Sequence, residues 1–197
     1  MTSNTTTREG ARGPWIQTYT GVAFDLLDPS PDMIVLEDIA HALSLLCRYT
    51  GHTSRFYSVA EHSLEVARFA TECSHKQVAV PMAQWGLMHD AAEAYVGDVS
   101  APLKSVLPKY KRIEREISGA VISRFGIELG DGAIQKVIKH IDRVMLVTEA
   151  KALMGPAPKD WGIGVEPLVG WEPRCLSPKE AKAEFLSMAT EMFAGAL

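Results

Sequence analysis

Hydrophobic positions recur with a helical period along most of the chain. Apolar side chains spaced three and four residues apart predict amphipathic helices, whereas strict alternation would predict strands. We therefore place six helices, at about Leu36–Cys47, from Ser58, at about Ala83–Val96, at about Tyr110–Phe125, from Asp131 and from Ser177. A short strand is expected within Trp15–Phe24. The pattern predicts an all-α fold.

Polar residues mark where several of these helices begin. Ser58-Val59-Ala60-Glu61 has the form of a capping box, in which a serine and a glutamate satisfy backbone N–H groups reciprocally. Ser177-Pro178-Lys179-Glu180 repeats this form with proline in the first turn. We expect Asp131 to cap the helix whose apolar face carries Ile134, Ile138, Ile141 and Met145.

The segment Gly155–Arg174 interrupts the helical pattern, with eight glycines or prolines in twenty positions. A stretch this long without helix or strand is uncommon inside a compact domain, so we expect it to be functional or an interface arm. The chain then divides into a flexible N-terminal tail, residues 1–14, and one domain, residues 15–197. Within that domain we expect a core at about 36–154, the arm at 155–174 and a C-terminal helix at 177–196.

The segment WGLMHDAAEAYVGD, residues 85–98, carries the most chemical information. Up to Val96 its only charged or strongly polar side chains are His89, Asp90 and Glu93. A helix this apolar is mostly buried, and an unpaired buried charge is costly, so these side chains need partners. Glu93 lies one turn beyond the other two. His89 and Asp90 are about 100° apart around the helix axis, so both can reach one ion between them.

Two further residues place polar groups on apolar helix faces. His62 lies on the apolar side of its helix, and Asp142 lies at the edge of the apolar face of another. A single histidine there is more often a hydrogen-bonded core residue, and a lone aspartate is usually solvated or ion-paired. Together with His89 and Asp90 they form a two-histidine, two-carboxylate set. Such a set suits Mn, Co, Fe, Ni or Zn better than Ca.

Composition and charge exclude several function classes. The 197 residues suit one domain, and a net charge of −4 lacks the basic footprint of a protein that binds a nucleic acid polymer. Three cysteines, without C-x-x-C spacing, fit a reducing compartment. The first residues lack the apolar core of a signal peptide, and no apolar run approaches the roughly 20 residues that span a bilayer. We therefore expect a cytoplasmic protein that binds no membrane.

Four separated segments, FYSVAEHS, HDAAEAYVGD, APLK and KHID, resemble the HD-domain metal phosphohydrolases in order and spacing. The resemblance spans about Trp15–Met154 and is greatest to the small nucleotidase branch, which includes bacterial 5′-deoxynucleotidases and short phage dATP triphosphohydrolases. It implies one divalent metal held by His62, His89, Asp90 and Asp142. It also implies that Glu93 polarises or deprotonates the attacking water. Asp98 matches the family's second acidic residue, at the sugar and scissile-bond end.

The resemblance also implies residues that bind the substrate. Because charge spreads over the phosphoryl oxygens in the transition state, fixed cations should surround it. Arg48, Lys104 and Lys139 occupy matching family positions, although without the family each would be read as a solvated surface residue. Arg48 can grip phosphate with two parallel N–H donors. Three further candidates lie in the same polar loop as Arg48, namely Tyr49, which could pack on the sugar or base, and the weaker His52 and Arg55.

These residues predict metal-dependent hydrolysis of the 5′-phosphoester of a (deoxy)nucleotide. The substrate is either a deoxynucleoside monophosphate, cleaved to nucleoside and phosphate, or a dATP-like triphosphate, cleaved to nucleoside and triphosphate. One alternative is a catalytically idle domain that senses nucleotide or metal, against which the intact Glu93 speaks. Another is a cyclic-dinucleotide phosphodiesterase, for which a second set of metal ligands is not obvious. We also expect a homo-oligomer, as is common among the enzymes it resembles.

Overall fold

A computed structural model of the chain describes residues 13–75 and 78–195. These residues begin with an antiparallel hairpin, in which β1 (Trp15–Gln17) pairs with β2 (Ala23–Asp25). Eight helices follow among them: α1 (Leu36–Leu45), α2 (Val59–Glu72), α3 (Ala79–Met88), α4 (Glu93–Val96), α5 (Ala101–Ser105), α6 (Pro108–Phe125), α7 (Ala133–Leu153) and α8 (Pro178–Met192). The predicted all-α fold is confirmed. The expected short strand is one half of the hairpin. The predicted tail, residues 1–14, lies outside the described residues except for its last two.

The hairpin is fixed to the helices by one buried carboxylate. Asp38 on α1 accepts hydrogen bonds from the backbone N–H of Thr20 at 2.7 Å and from its hydroxyl at 2.8 Å. Phe24 on β2 is fully buried and stacks on Tyr95, with ring centroids 3.9 Å apart. The hairpin therefore covers α1 and α4 and closes one side of the core.

The predicted continuous helix at Ala83–Val96 is wrong, because α3 ends at Met88 and α4 begins at Glu93. Between them the backbone tightens into turns whose hydrogen bonds reach back three residues. One joins the N–H of Glu93 to the carbonyl of Asp90, at 2.9 Å. Side chains three apart eclipse one another in such turns, so Asp90 and Glu93 face the same side.

The two predicted capping boxes differ. Ser177 and Glu180 form the complete reciprocal box at the start of α8. At the start of α2, the hydroxyl of Ser58 accepts from the N–H of Glu61 at 3.1 Å, as predicted. The buried Glu61 carboxylate, however, accepts from the backbone N–H groups of Cys175 and Leu176, at 2.8 and 2.7 Å. Glu61 therefore fastens the end of the arm to α2.

A small apolar core lies where α2, α3 and α7 meet. Its buried members are Val66, Ala70, Met82, Ile138, Ile141 and Met145. The helices come very close at Gly86 on α3, where an added Cβ would lie 3.0 Å from the Cα of Ala67 on α2. The site described below lies at this junction of α2, α3 and α7.

The start of α7 differs slightly from the prediction. Asp131 accepts a hydrogen bond from the N–H of Ala133 at 3.2 Å, but the capping position of α7 is Gly132.

The arm, residues 155–174, contains neither helix nor strand, as predicted. The backbone N–H of Leu168 donates to the hydroxyl of Thr148 on α7, at 2.9 Å, and so fastens the middle of the arm. A cavity of about 540 Å³ lies between α7 and the arm and is lined by residues that include Met154 and Trp161. No helix among the described residues has the length and apolar character needed to cross a membrane.

Candidate metal centre

Four predicted ligands meet at the junction of three helices. His62 is on α2, His89 and Asp90 directly follow α3, and Asp142 is on α7. The Nε2 atom of His62 lies 3.2 Å from Oδ1 of Asp142 and 3.7 Å from Oδ2 of Asp90. The Nε2 atom of His89 lies 3.3 Å from the same Asp90 oxygen and 4.0 Å from the same Asp142 oxygen. The Nε2 atoms of His62 and His89 and an oxygen of Asp90 thus lie within 4.8 Å of one another, and the Asp142 oxygen approaches the two imidazoles from α7.

The other nitrogen of each imidazole fixes its tautomer. Nδ1 of His89 lies 2.8 Å from the backbone carbonyl of Gly86, which can only accept a hydrogen bond. Nδ1 of His62 lies 2.7 Å from Oε1 of Glu149. With a proton on each Nδ1, both neutral rings present an Nε2 lone pair to the cluster. Among the described residues, neither buried Nε2 atom has a hydrogen bond partner of its own. This is the arrangement that metal-binding histidines adopt.

The electrostatics of the cluster favour added positive charge. Five carboxylates surround two basic side chains, the acids being Asp90, Glu93, Asp98, Asp142 and Glu149 and the bases Arg48 and Lys104. Burial alone would lower the pKa of His89, but the carboxylates of Asp90 and Asp142 raise it to about 9. Burial would likewise raise the pKa of Asp90, yet His89, His62 and Arg48 hold it below its ordinary value. A divalent cation supplies the charge that this group of residues lacks, so the donor set fits a metal.

Glu93, the predicted base, is buried beside the cluster. Its Oε1 accepts from Nζ of Lys104 at 2.9 Å, whereas its buried Oε2 has no hydrogen bond partner among the described residues. Burial, and then the charges of Asp90 and Asp98, raise the pKa of Glu93 despite the opposing effect of Lys104. Lys104 also donates to Glu114 on α6, at 2.5 Å. One oxygen of Glu93 is therefore held in place while the other is available to a reacting group.

Asp98 reaches the same region because the chain turns sharply after α4. Gly97 has φ 80°, in the region that favours glycine, and ends the helix. Burial raises the pKa of Asp98, with Arg48 opposing the shift and Asp90 adding to it. Its assignment to the sugar and scissile-bond end stays a prediction.

Glu149 is a residue that the sequence analysis missed. It is fully buried on α7, and its two oxygens accept hydrogen bonds from four side chains, namely Arg48, Tyr49, Tyr57 and His62. A signal for it exists in the sequence. Glu149 follows Asp142 by seven residues, two helical turns, and so lies on the same face of a helix that is otherwise apolar there.

Arg48, the predicted phosphate-binding residue, is buried with its Nε bound to Glu149 at 3.0 Å. Its terminal NH1 lies 3.7 Å from Oδ2 of Asp90. A two-point grip on phosphate through Nε is therefore excluded, since that N–H is already used. NH1 is the nitrogen that approaches the cluster.

The remaining predicted substrate contacts lie farther toward the surface. The single O–H of Tyr49 is shared between two acceptors, the carbonyl of Leu146 at 2.7 Å and Oε2 of Glu149 at 3.1 Å, so a contact with substrate would use the ring face of Tyr49. His52, Arg55 and Lys139 are exposed, and Lys139 lies one turn before Asp142 on α7. Their roles stay predictions.

Comparison with known proteins agrees with this geometry. Residues 47–141 match the HD domain family, and the chain belongs to that family. It is 40% identical over 139 residues to the uncharacterized protein YfdR of Escherichia coli (strain K12), which covers 71% of this chain and 72% of the relative. It is 35% identical over 145 residues to the uncharacterized protein RCAP_rcc00048 of Rhodobacter capsulatus, covering 72% and 74%. HD domains bind divalent metals and are generally hydrolases.

Proposed function

We propose that this protein hydrolyses the 5′-phosphoester of a (deoxy)nucleotide with the help of a divalent metal. The products would be nucleoside and phosphate from a deoxynucleoside monophosphate, or nucleoside and triphosphate from a dATP-like substrate. The observation that supports the proposal is the group of His62, His89 and Asp90 with the Asp142 carboxylate next to both imidazoles, and beside it a Glu93 oxygen that has no hydrogen bond partner among the described residues. The choice of nucleotide rests on the four segments that resemble the small nucleotidase branch.

His62, His89, Asp90 and Asp142 are the residues that would hold the metal. A divalent cation supplies Lewis acidity, which lowers the pKa of water and polarises a phosphoryl oxygen. The transition metals already expected from the mixed nitrogen and oxygen ligands, Mn, Co, Zn, Fe or Ni, all suit this site.

Glu93 would take the proton of the attacking water. Burial raises the pKa of Glu93, and a carboxylate with a raised pKa is a stronger base when ionised. Lys104 holds Oε1, so the free Oε2 has one defined direction. A hydrogen-bonded orienting group of this kind lowers the entropy cost of reaching the reactive geometry.

Arg48 would stabilise the negative charge on the phosphoryl group. Its guanidinium is fixed by Glu149 before any substrate arrives, and a preorganised cation in a site shielded from water stabilises developing charge strongly. Lys104, by contrast, is engaged with two carboxylates, which limits its availability to the substrate.

A panel of nucleotides tests the proposal. Purified protein is incubated with each deoxynucleoside monophosphate and triphosphate in the presence of Mn²⁺ or Co²⁺, and the products are separated by chromatography. Release of phosphate or triphosphate together with nucleoside supports the proposal and decides between the two substrates. Nucleotide binding without turnover with any metal would contradict it and favour a sensing role.

The variant Glu93→Gln tests the assignment of the base. It keeps the size of the side chain but cannot accept a proton, so we expect turnover to fall by about 10²- to 10⁴-fold while substrate binding remains. Metal content, measured in parallel, controls for loss of the site. Full activity in Glu93→Gln with metal bound would show that another group is the base.

A further inference from the structure

Glu149 connects the two halves of the site. We propose that it is a positioning residue with two effects. It sets which imidazole nitrogen of His62 carries the proton, and it sets the orientation of the loop that contains Arg48, Tyr49 and Thr50, which we call the Arg48 loop. The metal part of this inference depends only on the ligand set, whereas the Arg48 part rests on the proposed phosphohydrolase function.

Each oxygen of Glu149 serves a different part of the site. Oε1 accepts from Nδ1 of His62 at 2.7 Å and from the hydroxyl of Tyr57 at 3.1 Å. Oε2 accepts from Nε of Arg48 at 3.0 Å and from the hydroxyl of Tyr49 at 3.1 Å. The carboxylate offers about four lone-pair sites, and all are occupied by donors. Its side chain is fully buried, so no water can replace a lost partner.

Glu149 is paired with a permanent cation inside this buried region, since its Oε2 lies 3.0 Å from Nε of Arg48. An anion that only accepts forces Nδ1 of His62 to be the protonated nitrogen, which leaves Nε2 free for a metal. Glutamine in place of Glu149 carries an NH₂ group that must point either at His62 and Tyr57 or at Arg48 and Tyr49. One of these two pairs would then face a donor and lose its hydrogen bonds.

The Arg48 loop depends on the same carboxylate. Tyr49 and Thr50 have φ values of 56° and 55°, in the left-handed region that residues other than glycine seldom adopt. Such a conformation persists only where surrounding contacts enforce it. The two hydrogen bonds of the Tyr49 hydroxyl, to Glu149 and to the Leu146 carbonyl, are contacts of this kind. Loss of Glu149 should therefore release the loop as well as the histidine.

Metal titration without nucleotide tests the first half of the inference. We expect Glu149→Gln to bind Co²⁺ or Mn²⁺ about 10- to 100-fold more weakly than wild type and to show an altered Co²⁺ absorption spectrum. Tyr57→Phe, which removes one donor and keeps the carboxylate, should show a smaller loss. Wild-type affinity and spectrum in Glu149→Gln would overturn the inference, whether or not the protein hydrolyses nucleotides.

Two variants separate positioning from general stability. Thr148→Val, on the neighbouring residue, removes the bond that fastens the arm and should lower the melting temperature while leaving metal affinity unchanged. An equal loss of metal affinity in Thr148→Val would contradict the inference. The double variant Arg48→Gln/Glu149→Gln removes both buried charges and so protects folding. Its metal affinity should still be reduced, and full recovery would show that Glu149 serves only to neutralise Arg48.

Tyr49→Phe tests the second half. It removes the Tyr49 hydroxyl contacts with Glu149 and with the Leu146 carbonyl, while the bonds from Glu149 to Arg48 and His62 stay in place, so we expect KM to rise more than kcat falls while metal affinity is retained. A variant with wild-type KM would show that the loop needs no such restraint.

Discussion

Gly86 makes a sharp prediction about how the metal centre is assembled, because it lies where α3 crosses closest to α2. An alanine Cβ there would lie 3.0 Å from the Cα and 3.2 Å from the N of Ala67. Both are backbone atoms and cannot rotate away. Alanine in place of glycine inside a helix normally gains about 1 kcal/mol. Overpacking of this kind costs about 1–3 kcal/mol. We expect Gly86→Ala to lower the free energy of unfolding by up to about 2 kcal/mol.

The same change should reach the ligands. Carbon atoms in contact prefer a separation of about 3.5–4.0 Å, so the two helices must move apart by a few tenths of an ångström. His62 is carried by α2, and His89 follows α3 with its Nδ1 hydrogen-bonded to the Gly86 carbonyl. Since the two imidazoles have ring centroids 5.3 Å apart and depend on these two helices for their positions, Gly86→Ala should also weaken metal binding.

Urea denaturation without metal and Co²⁺ titration measure the two effects. Gly119→Ala is the matched control, because Gly119 lies within α6 and a Cβ there meets nothing within 4 Å. It should raise stability by up to about 1 kcal/mol and leave metal binding unchanged. If Gly86→Ala raised the unfolding midpoint as Gly119→Ala does, the close helix contact would not hold the site together.

Two further predictions concern pH. Lys104→Gln removes the ammonium group that lowers the pKa of Glu93. The acidic limb of the pH profile of kcat/KM should therefore move to higher pH. An unmoved limb would argue against Glu93 as the base. Hydrogen bonds from Arg174, and then from Arg68, lower the pKa of Glu184 to about 2. The ionised Glu184 therefore contributes its full stabilisation above the ordinary glutamate pKa of about 4.3, and this stabilisation is lost as the pH falls toward 2. Glu184→Gln should therefore cost less than about 1 kcal/mol at pH 7, with the difference from wild type shrinking at pH 3 in urea denaturation, whereas an equal difference at both pH values would contradict this.

Much of the fold could be predicted from local patterns. The start of α8 at Ser177 and the end of α6 before Gly126 follow from capping chemistry that a few neighbouring residues decide. The division between α3 and α4 could not be predicted in this way. At this point the backbone hydrogen bonds change from a four-residue to a three-residue spacing, and the sequence from Met88 to Ala92 carries no glycine or proline to mark the change.

The site was predictable where polar residues interrupt apolar helix faces. His62, His89 and Asp90 lie together for this reason, although the role of each in binding stays a prediction. The partners of these residues were harder to find, since they depend on how separate helices pack. Glu149 satisfies four donors from two other segments, and the pairing of Lys104 with Glu114 appears only once α5 and α6 are folded together.

The fastening of the arm to Glu61 shows that the buried contacts of α2 extend beyond the segment that matches the family. The match ends at residue 141, before Asp142 and Glu149 and well before the N–H groups that Glu61 accepts from. A protein shortened to that boundary would leave a buried anion without donors immediately beside His62. The last quarter of the chain, which carries none of the candidate metal ligands, thus supplies hydrogen bond donors to a helix that carries one of them.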